Sequence, residues 1–232
     1  MKIAIMQPYI FPYIGYFQLI NAVDKFIIYD DVSFINKGWI NRNRILVNGK
    51  DSLFTIPLKE ASQNKLINSI EVNWDSAWKS KFLKTIEQSY KKAPYYQQIL
   101  PLIEDLLNTE KSIFSEIIFE NLTQICQYLG IKTEIVPSSS IYQNTALKAQ
   151  ERIIDICEQE KIDTYINPIG GLELYDKAAF QTIGKELFFI KSKAICYTQF
   201  KNEFVPWLSI IDVLMFNSLE QISVLLNDYE LV

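Results

Sequence analysis

The chain has 232 residues, with 23 Lys+Arg against 27 Asp+Glu, a net charge of −4 and no histidine. With 49% apolar and 22% charged residues it has the composition of a globular protein with a substantial core, and its acidic balance argues against a general nucleic-acid binder, which needs a cationic face for phosphates. The missing imidazole excludes a Ser-His-Asp triad, a Cys-His pair and a histidine metal site, so proton transfer falls to a carboxylate, Lys, Tyr, Cys or the substrate.

Residues 3–23 carry no formal charge, yet Gln7, Pro8, Pro12, Gln18 and Asn21 interrupt the run. A signal peptide needs an unbroken apolar segment, and a span needs about twenty apolar residues. Neither fits, and the chain reads as cytoplasmic with no membrane span. Cys126, Cys157 and Cys196 stand 31 and 39 residues apart, too far for a metal knuckle, and are expected to pack as small hydrophobes.

In chain order, Lys2 to Met6 predicts a strand, Gln7 to Pro12 a loop, about Tyr13 to Ala22 a helix, and Lys25 to Tyr29 a second strand ending at Asp30-Asp31. This is a βαβ opening, which places the loop after the first strand at a crevice. Asp51 to Leu58 and Asn68 to Asn73 read as further strands. A helix capped by Asp75 follows, then one over Tyr95 to Leu107 and one from near Thr109 that stops at Gly130. Lys132 to Val136 predicts a strand, Leu147 to Gln159 a helix and Asp163 to Ile166 a strand. Gly170-Gly171 is expected to open a helix around Leu174 to Ile183, before a strand over Glu186 to Ile190. Helices over about Leu208 to Phe216 and Leu219 to Leu226 end the chain. The alternation predicts an α/β fold with a mostly parallel sheet and flanking helices, as one domain over 1–232 with a helical subdomain over about 75–130.

The loop from Gln7 to Tyr16 runs from a strand into a helix. Gly15 allows close backbone approach there, and the helix N-terminus attracts anions. Tyr9, Tyr13 and Tyr16 can stack on a base or sugar, or simply pack in the core. Lys37, Trp39, Asn41, Arg42 and Arg44 form a second cluster. The chain has three arginines, and two of them are here. Guanidinium forks suit carboxylate or phosphate better than a merely solubilising role, which lysine fills elsewhere. Asp30 and Asp31 stand at a strand end, where carboxylates accept sugar hydroxyls, act as a base, or cap a turn. Asn167, Gly170, Gly171 and Tyr175 follow another strand and should share the edge of the first loop. Asp212 lies among apolar residues on a helix, capping something buried or facing a site.

The run MQPYIFPYIGYFQLINAVDKFIIYDDVSFINKGWINRNRI resembles the opening of the WbqC-like family, and FTIPL, NPIGGLELYDKAAF and FVPWLSIIDVLMFN resemble its later blocks. The resemblance covers nearly the whole chain in order. It implies a role in bacterial O-antigen, surface-polysaccharide or other glycan biosynthesis, such as attaching an acyl or aminoacyl group to an amino-sugar or nucleotide-sugar. It brings no catalytic assignment and leaves the cofactor open. Tyr13-Ile14-Gly15-Tyr16 also stands where nucleotidylyl transferases carry His-x-Gly-His, with both histidines replaced by tyrosine; that similarity bears on the fold more than on the reaction. The reading that follows is a transferase with Asp30 or Asp31 taking a proton, acting on a small-molecule substrate such as a nucleotide-sugar, with an acyl-carrier protein as a partner and no metal site. The alternatives are nucleotidylyl transfer and a non-catalytic binder of a nucleotide-sugar or protein partner.

Overall fold

The computed structural model describes residues 1–201 and 203–232. In chain order the elements are β1 (Lys2–Met6), α1 (Ile14–Asn21), β2 (Lys25–Ile28), β3 (Arg42–Val47), β4 (Lys50–Thr55), α2 (Ser76–Tyr90), α3 (Tyr96–Leu107) and α4 (Phe114–Leu129). They continue as β5 (Glu134–Val136), α5 (Ala149–Gln159), β6 (Thr164–Pro168), α6 (Lys177–Thr182), β7 (Glu186–Ser192), α7 (Ile210–Phe216), α8 (Leu219–Leu226) and β8 (Tyr229–Leu231).

Strand residues point alternately to opposite faces, and here both faces are apolar. Ile3, Ile5, Ile27, Tyr165, Leu187 and Phe189 pack in one core with Ile153, Ile156 and Cys157 of α5 and Phe180 of α6. Their neighbours Ala4, Phe26, Ile28, Ile166 and Ile190 pack in the other core, which takes in α1 to α4, α7 and α8. A sheet buried on both sides must be crossed by helices, and its strands then run parallel. The order is β5-β2-β1-β6-β7-β8, with every pairing parallel except β7–β8. The chain steps outward from β1 through β2 to β5, then returns to β6 on the other side of β1. That reversal between β1 and β6 opens a crevice outside their carboxyl ends, where such folds bind ligands.

The observed sheet is the expected α/β arrangement, with several local differences. Arg42–Val47 is a strand where the sequence predicts no element; it pairs with β4 across Asn48 and Gly49, whose φ values of 51° and 74° make a two-residue hairpin turn. Asn68 to Asn73 is not a strand. A short 3₁₀ turn occupies Ile67–Ser69, and Val72 and Glu71 make only isolated bridges to Leu58 and Ile113. The apolar alternation there is real, since Ile70 and Val72 are buried, but the segment has no neighbouring strand along its length. Gly170-Gly171 lies in a 3₁₀ turn, and α6 begins only after Asp176, which caps it by accepting from the Ala178 N–H at 3.0 Å. The third helix starts at Phe114 rather than near Thr109. Asp75 caps α2, and Gly130 ends α4 at φ 73°, both as expected. Among the described residues no helix is long and apolar enough to cross a membrane.

Candidate functional site

The loop between β1 and α1 is held from several sides. Ile10 N–H donates to the Ile40 carbonyl at 3.1 Å, and the Phe11 carbonyl accepts from Asn43 Nδ2 at 2.9 Å and from Ser209 Oγ at 2.7 Å. Ile210 N–H donates to the Pro12 carbonyl at 2.9 Å, and Tyr16 Oη donates to the Gln7 carbonyl at 2.9 Å. This many constraints keep buried Phe11 at φ 42°, a region bulky residues avoid. Tyr16 is therefore a buried strut, and burial drives its phenol well above the ordinary range. Tyr9 is half-buried with its ring 5.6 Å from that of Tyr16, and Tyr13 stands half-buried at the N-cap of α1, which has no side-chain cap. A Cβ on Gly15 would lie 2.8 Å from Ser192 Oγ, so glycine lets the first turn of α1 approach the end of β7.

The same bonds bring β3 to this loop. Trp39 is exposed, and the guanidinium carbons of Arg42 and Arg44 lie 5.7 and 5.6 Å from its ring centre. Arg42 Nε donates to the Gly38 carbonyl at 2.7 Å, and Arg44 pairs with Asp51 at 3.3 Å on the exposed face of the hairpin. Lys37 is exposed, at φ 59°, and Asn41 Nδ2 is engaged by the Ile56 carbonyl at 2.8 Å.

Asp30 and Asp31 follow β2 and are 2% and 5% exposed. Their side chains take different partners. Asp31 meets Arg152 of α5 in a buried ion pair and accepts from Ser139 Oγ. Arg152 also donates to Asn144 Oδ1 at 2.8 Å and lies 4.9 Å from the Tyr29 ring centre. Asp30 accepts from Ser138 Oγ at 2.6 Å and lies near Ser115 of α4. Burial raises the pKa of Asp30, the serine hydrogen bonds oppose the rise, and Asp31 adds to it. The two serines after β5 divide in the same way, Ser138 serving Asp30 and Ser139 serving Asp31. The sequence reading missed Arg152, Ser138 and Ser139. A serine run directly after a strand was one available signal, and an arginine four residues before Ile156, on the apolar stripe of its helix, was another.

Near the end of β6, Asn167 is buried, with Oδ1 accepting from Tyr165 Oη at 3.0 Å. A Cβ on Gly171 would fall 1.9 Å from Asn167 Nδ2, so this glycine makes room for the amide, while the Gly170 position is open. Tyr175 is half-buried, its ring 5.8 Å from that of Tyr165. Asp212 lies apart from these groups. It is 0% exposed and accepts from Tyr90 Oη at 2.9 Å, Tyr197 Oη at 2.7 Å and Gln199 Nε2 at 2.7 Å. Burial raises its pKa against these three bonds.

The first loop, Asp30, Asp31, Asn167 and Gly171 thus stand at the carboxyl edge of the parallel strands, and the Trp39–Arg44 segment is tied to that loop through the Ile10–Ile40 and Phe11–Asn43 bonds. Cys126 and Cys157 are buried, with thiols pushed up to about 12, and Cys196 is exposed. Among the described residues no three acidic or cysteine side chains converge in a metal-binding cluster. Two clefts lie elsewhere. One, of about 520 Å³, is lined by Lys59, Glu60, Lys65 and Glu71, which pair with one another; the other, of about 340 Å³, lies between the β3–β4 hairpin and α2.

The model of the WbqC-like protein family matches residues 7–224, a span that contains every residue of this edge. A protein of Mycobacterium tuberculosis (strain ATCC 25618 / H37Rv), the uncharacterized protein Rv1507c, is 29% identical over 223 residues, covering 93% of each chain. No solved structure matches the chain.

Proposed function

The chain belongs to the WbqC-like protein family, and from that premise we propose that it is a transferase that attaches a small acyl or aminoacyl group to an amino-sugar carried as an anionic derivative, such as a nucleotide-sugar, in bacterial glycan biosynthesis. The observation that carries the reading is the docking of the Trp39–Arg44 segment on the first loop, through the Ile10–Ile40 bond, beside the strand-order reversal. Two of the chain's three guanidinium groups are then held near the first loop, at the edge where this topology would take a ligand. Guanidinium groups recognise phosphate or carboxylate.

The two aspartates divide the remaining work. Asp31 is committed to Arg152 and fixes the end of β2 against α5. Asp30 accepts from the Ser138 hydroxyl and pairs with no cation among the described residues, and its raised pKa is the direction a general base requires. Half-buried Ser138 links it to the crevice. The acceptor nitrogen bonds the acyl carbon of a thioester, the C–S bond breaks with the electron pair leaving on sulfur, and the amine proton passes through Ser138 to Asp30. With an activated donor, positioning and electrostatics supply most of the acceleration, so an imidazole is not required. The near-complete burial of Asp30 and Asp31 favours a second reading, a non-catalytic protein that holds the same ligand.

The test is calorimetric titration of amino-sugars, nucleotide-sugars and acyl thioesters into the wild type and the Arg42→Ala/Arg44→Ala variant, with product mass measured after mixing donor and acceptor. Nucleotide-sugar binding that the variant weakens at least about tenfold, each charge-assisted hydrogen bond being worth about 1.5–3 kcal/mol, supports the site. Binding without acylated product selects the second reading. Equal binding by both proteins refutes the role of the arginines. Their removal should cost little stability, because the Arg44–Asp51 pair is exposed.

A further inference from the structure

Trp207 combines two features that folding alone does not favour. It is 64% exposed, and its φ of 62° lies in the left-handed region that L-residues other than glycine, and bulky ones above all, avoid. The residues that follow hold it there. Ser209 N–H donates to the Arg44 carbonyl at 2.8 Å, Ser209 Oγ donates to the Phe11 carbonyl at 2.7 Å, and Ile210 N–H donates to the Pro12 carbonyl at 2.9 Å. The backbone just beyond Trp207 is thereby stitched both to the first loop and to the arginine strand. Its indole reaches Tyr13 at the uncapped start of α1, with ring centres 5.1 Å apart and planes at 49°. At that tilt Tyr13 meets the indole without covering it, so a broad aromatic face stays open. Trp39 differs, since two guanidinium groups already lie over its ring.

We infer that Trp207, backed by Tyr13, is a stacking platform for the flat ring face of a phosphate-bearing ligand, seated beside the Arg42–Arg44 anion site. The inference rests on the ligand class proposed above and extends it to a residue that class had not included. Strain held in a constrained backbone at a ligand-facing position is a recurring feature of binding sites. An indole stacks equally on a nucleobase or on the apolar face of a hexose, and both can carry a phosphate, so the chemistry shared by the two is what the site reads.

The test uses tryptophan fluorescence and calorimetry with uridine monophosphate and glucose phosphate as separate probes. Wild type, Trp207→Gly, Trp207→Phe and Arg42→Ala/Arg44→Ala are compared, with thermal midpoints measured for all. The glycine variant removes the indole and relieves the positive φ, so its midpoint should not fall. It should raise the dissociation constant about 5- to 150-fold, the loss expected when one stacking partner is removed, while the phenylalanine variant stays within a few-fold of wild type. The probe that quenches wild-type fluorescence identifies whether base or sugar is stacked. If Trp207→Gly binds as wild type does while the arginine variant is weakened, the platform is wrong and the anion site stands. If wild type binds neither probe, the platform and the ligand class fall together. If both Trp207 variants lose binding and thermal midpoint alike, the residue is structural and the inference is overturned.

Discussion

Replacing Asp212 separates a polar knot from a functional charge. The carboxylate is wholly buried and receives three donors, Tyr90 from α2 and Tyr197 and Gln199 from the segment between β7 and α7. Tyr90 Oη also accepts from the Leu46 N–H of β3 at 2.7 Å, so one side chain joins three parts of the fold. Asp212→Ala leaves those donors facing a void. An unsatisfied buried donor costs about 1–3 kcal/mol, and partial relief by hydroxyl rotation brings three of them to about 3–5 kcal/mol. For a chain of this size that is a fall of about 6–20 °C in thermal midpoint. Asp212→Asn keeps an acceptor oxygen in place and removes a charge that burial disfavours, so it should lie within about 1 kcal/mol of wild type. The pH dependence has a definite sign. Because the folded pKa is raised, the folded chain holds a proton that the unfolded chain releases, and stability falls as pH climbs from the unfolded carboxylate range through the raised value, then levels off. Asp212→Asn should lose that slope. Urea denaturation of the three proteins across mildly acidic to neutral pH checks all of this. If the asparagine variant is as damaged as the alanine variant at neutral pH, the charge itself is needed and the knot interpretation is wrong.

Arg152→Met strands the Asp31 carboxylate in a buried site and should destabilise the fold by about 3–5 kcal/mol at neutral pH. Urea denaturation at neutral pH reads the loss, and a midpoint equal to wild type would show that the pair is not needed for the fold. Gly171→Ala places a methyl 1.9 Å from Asn167 Nδ2. The amide must rotate and give up the Tyr165 bond, at about 1–3 kcal/mol, and a thermal midpoint equal to wild type would show that the loop relaxes instead.

The parallel strands were legible because they are buried on both faces and written as short apolar runs bounded by turns, as in KIAIM and KFII. Helix limits were legible where a local device sets them, such as Asp75 before α2 or Gly130 after α4. Elements defined by a distant partner were not. β8 is a three-residue, largely exposed strand whose only identity is its pairing with β7. β3 begins Arg-Asn-Arg, and its buried polar Asn43 owes its place to the loop carbonyls at Ile10 and Phe11; the Asn48-Gly49 turn was the local sign of the hairpin. The same division runs through the site. Loops after strands could be placed at one edge from topology alone. The Asp31–Arg152 pair joins residues 121 apart, and the Asp30–Ser138 bond residues 108 apart, so no local pattern announces either.

Asp30 and Asp31 are adjacent in sequence yet separately partnered, which matters to the proposed reaction in a chain without histidine. Two adjacent carboxyl groups in a shared pocket repel, and one must take up a proton. Just past β2 they take separate partners, Asp30 the Ser138 hydroxyl and Asp31 the Ser139 hydroxyl together with Arg152. What then differs is the helix opposite. α5 offers Asp31 the guanidinium of Arg152, whereas Asp30 is buried near Ser115 of α4 and accepts from Ser138. Two identical residues side by side therefore meet different electrostatic surroundings, and under the proposed reaction Asp30, which pairs with no cation among the described residues, is the one that takes the acceptor's proton.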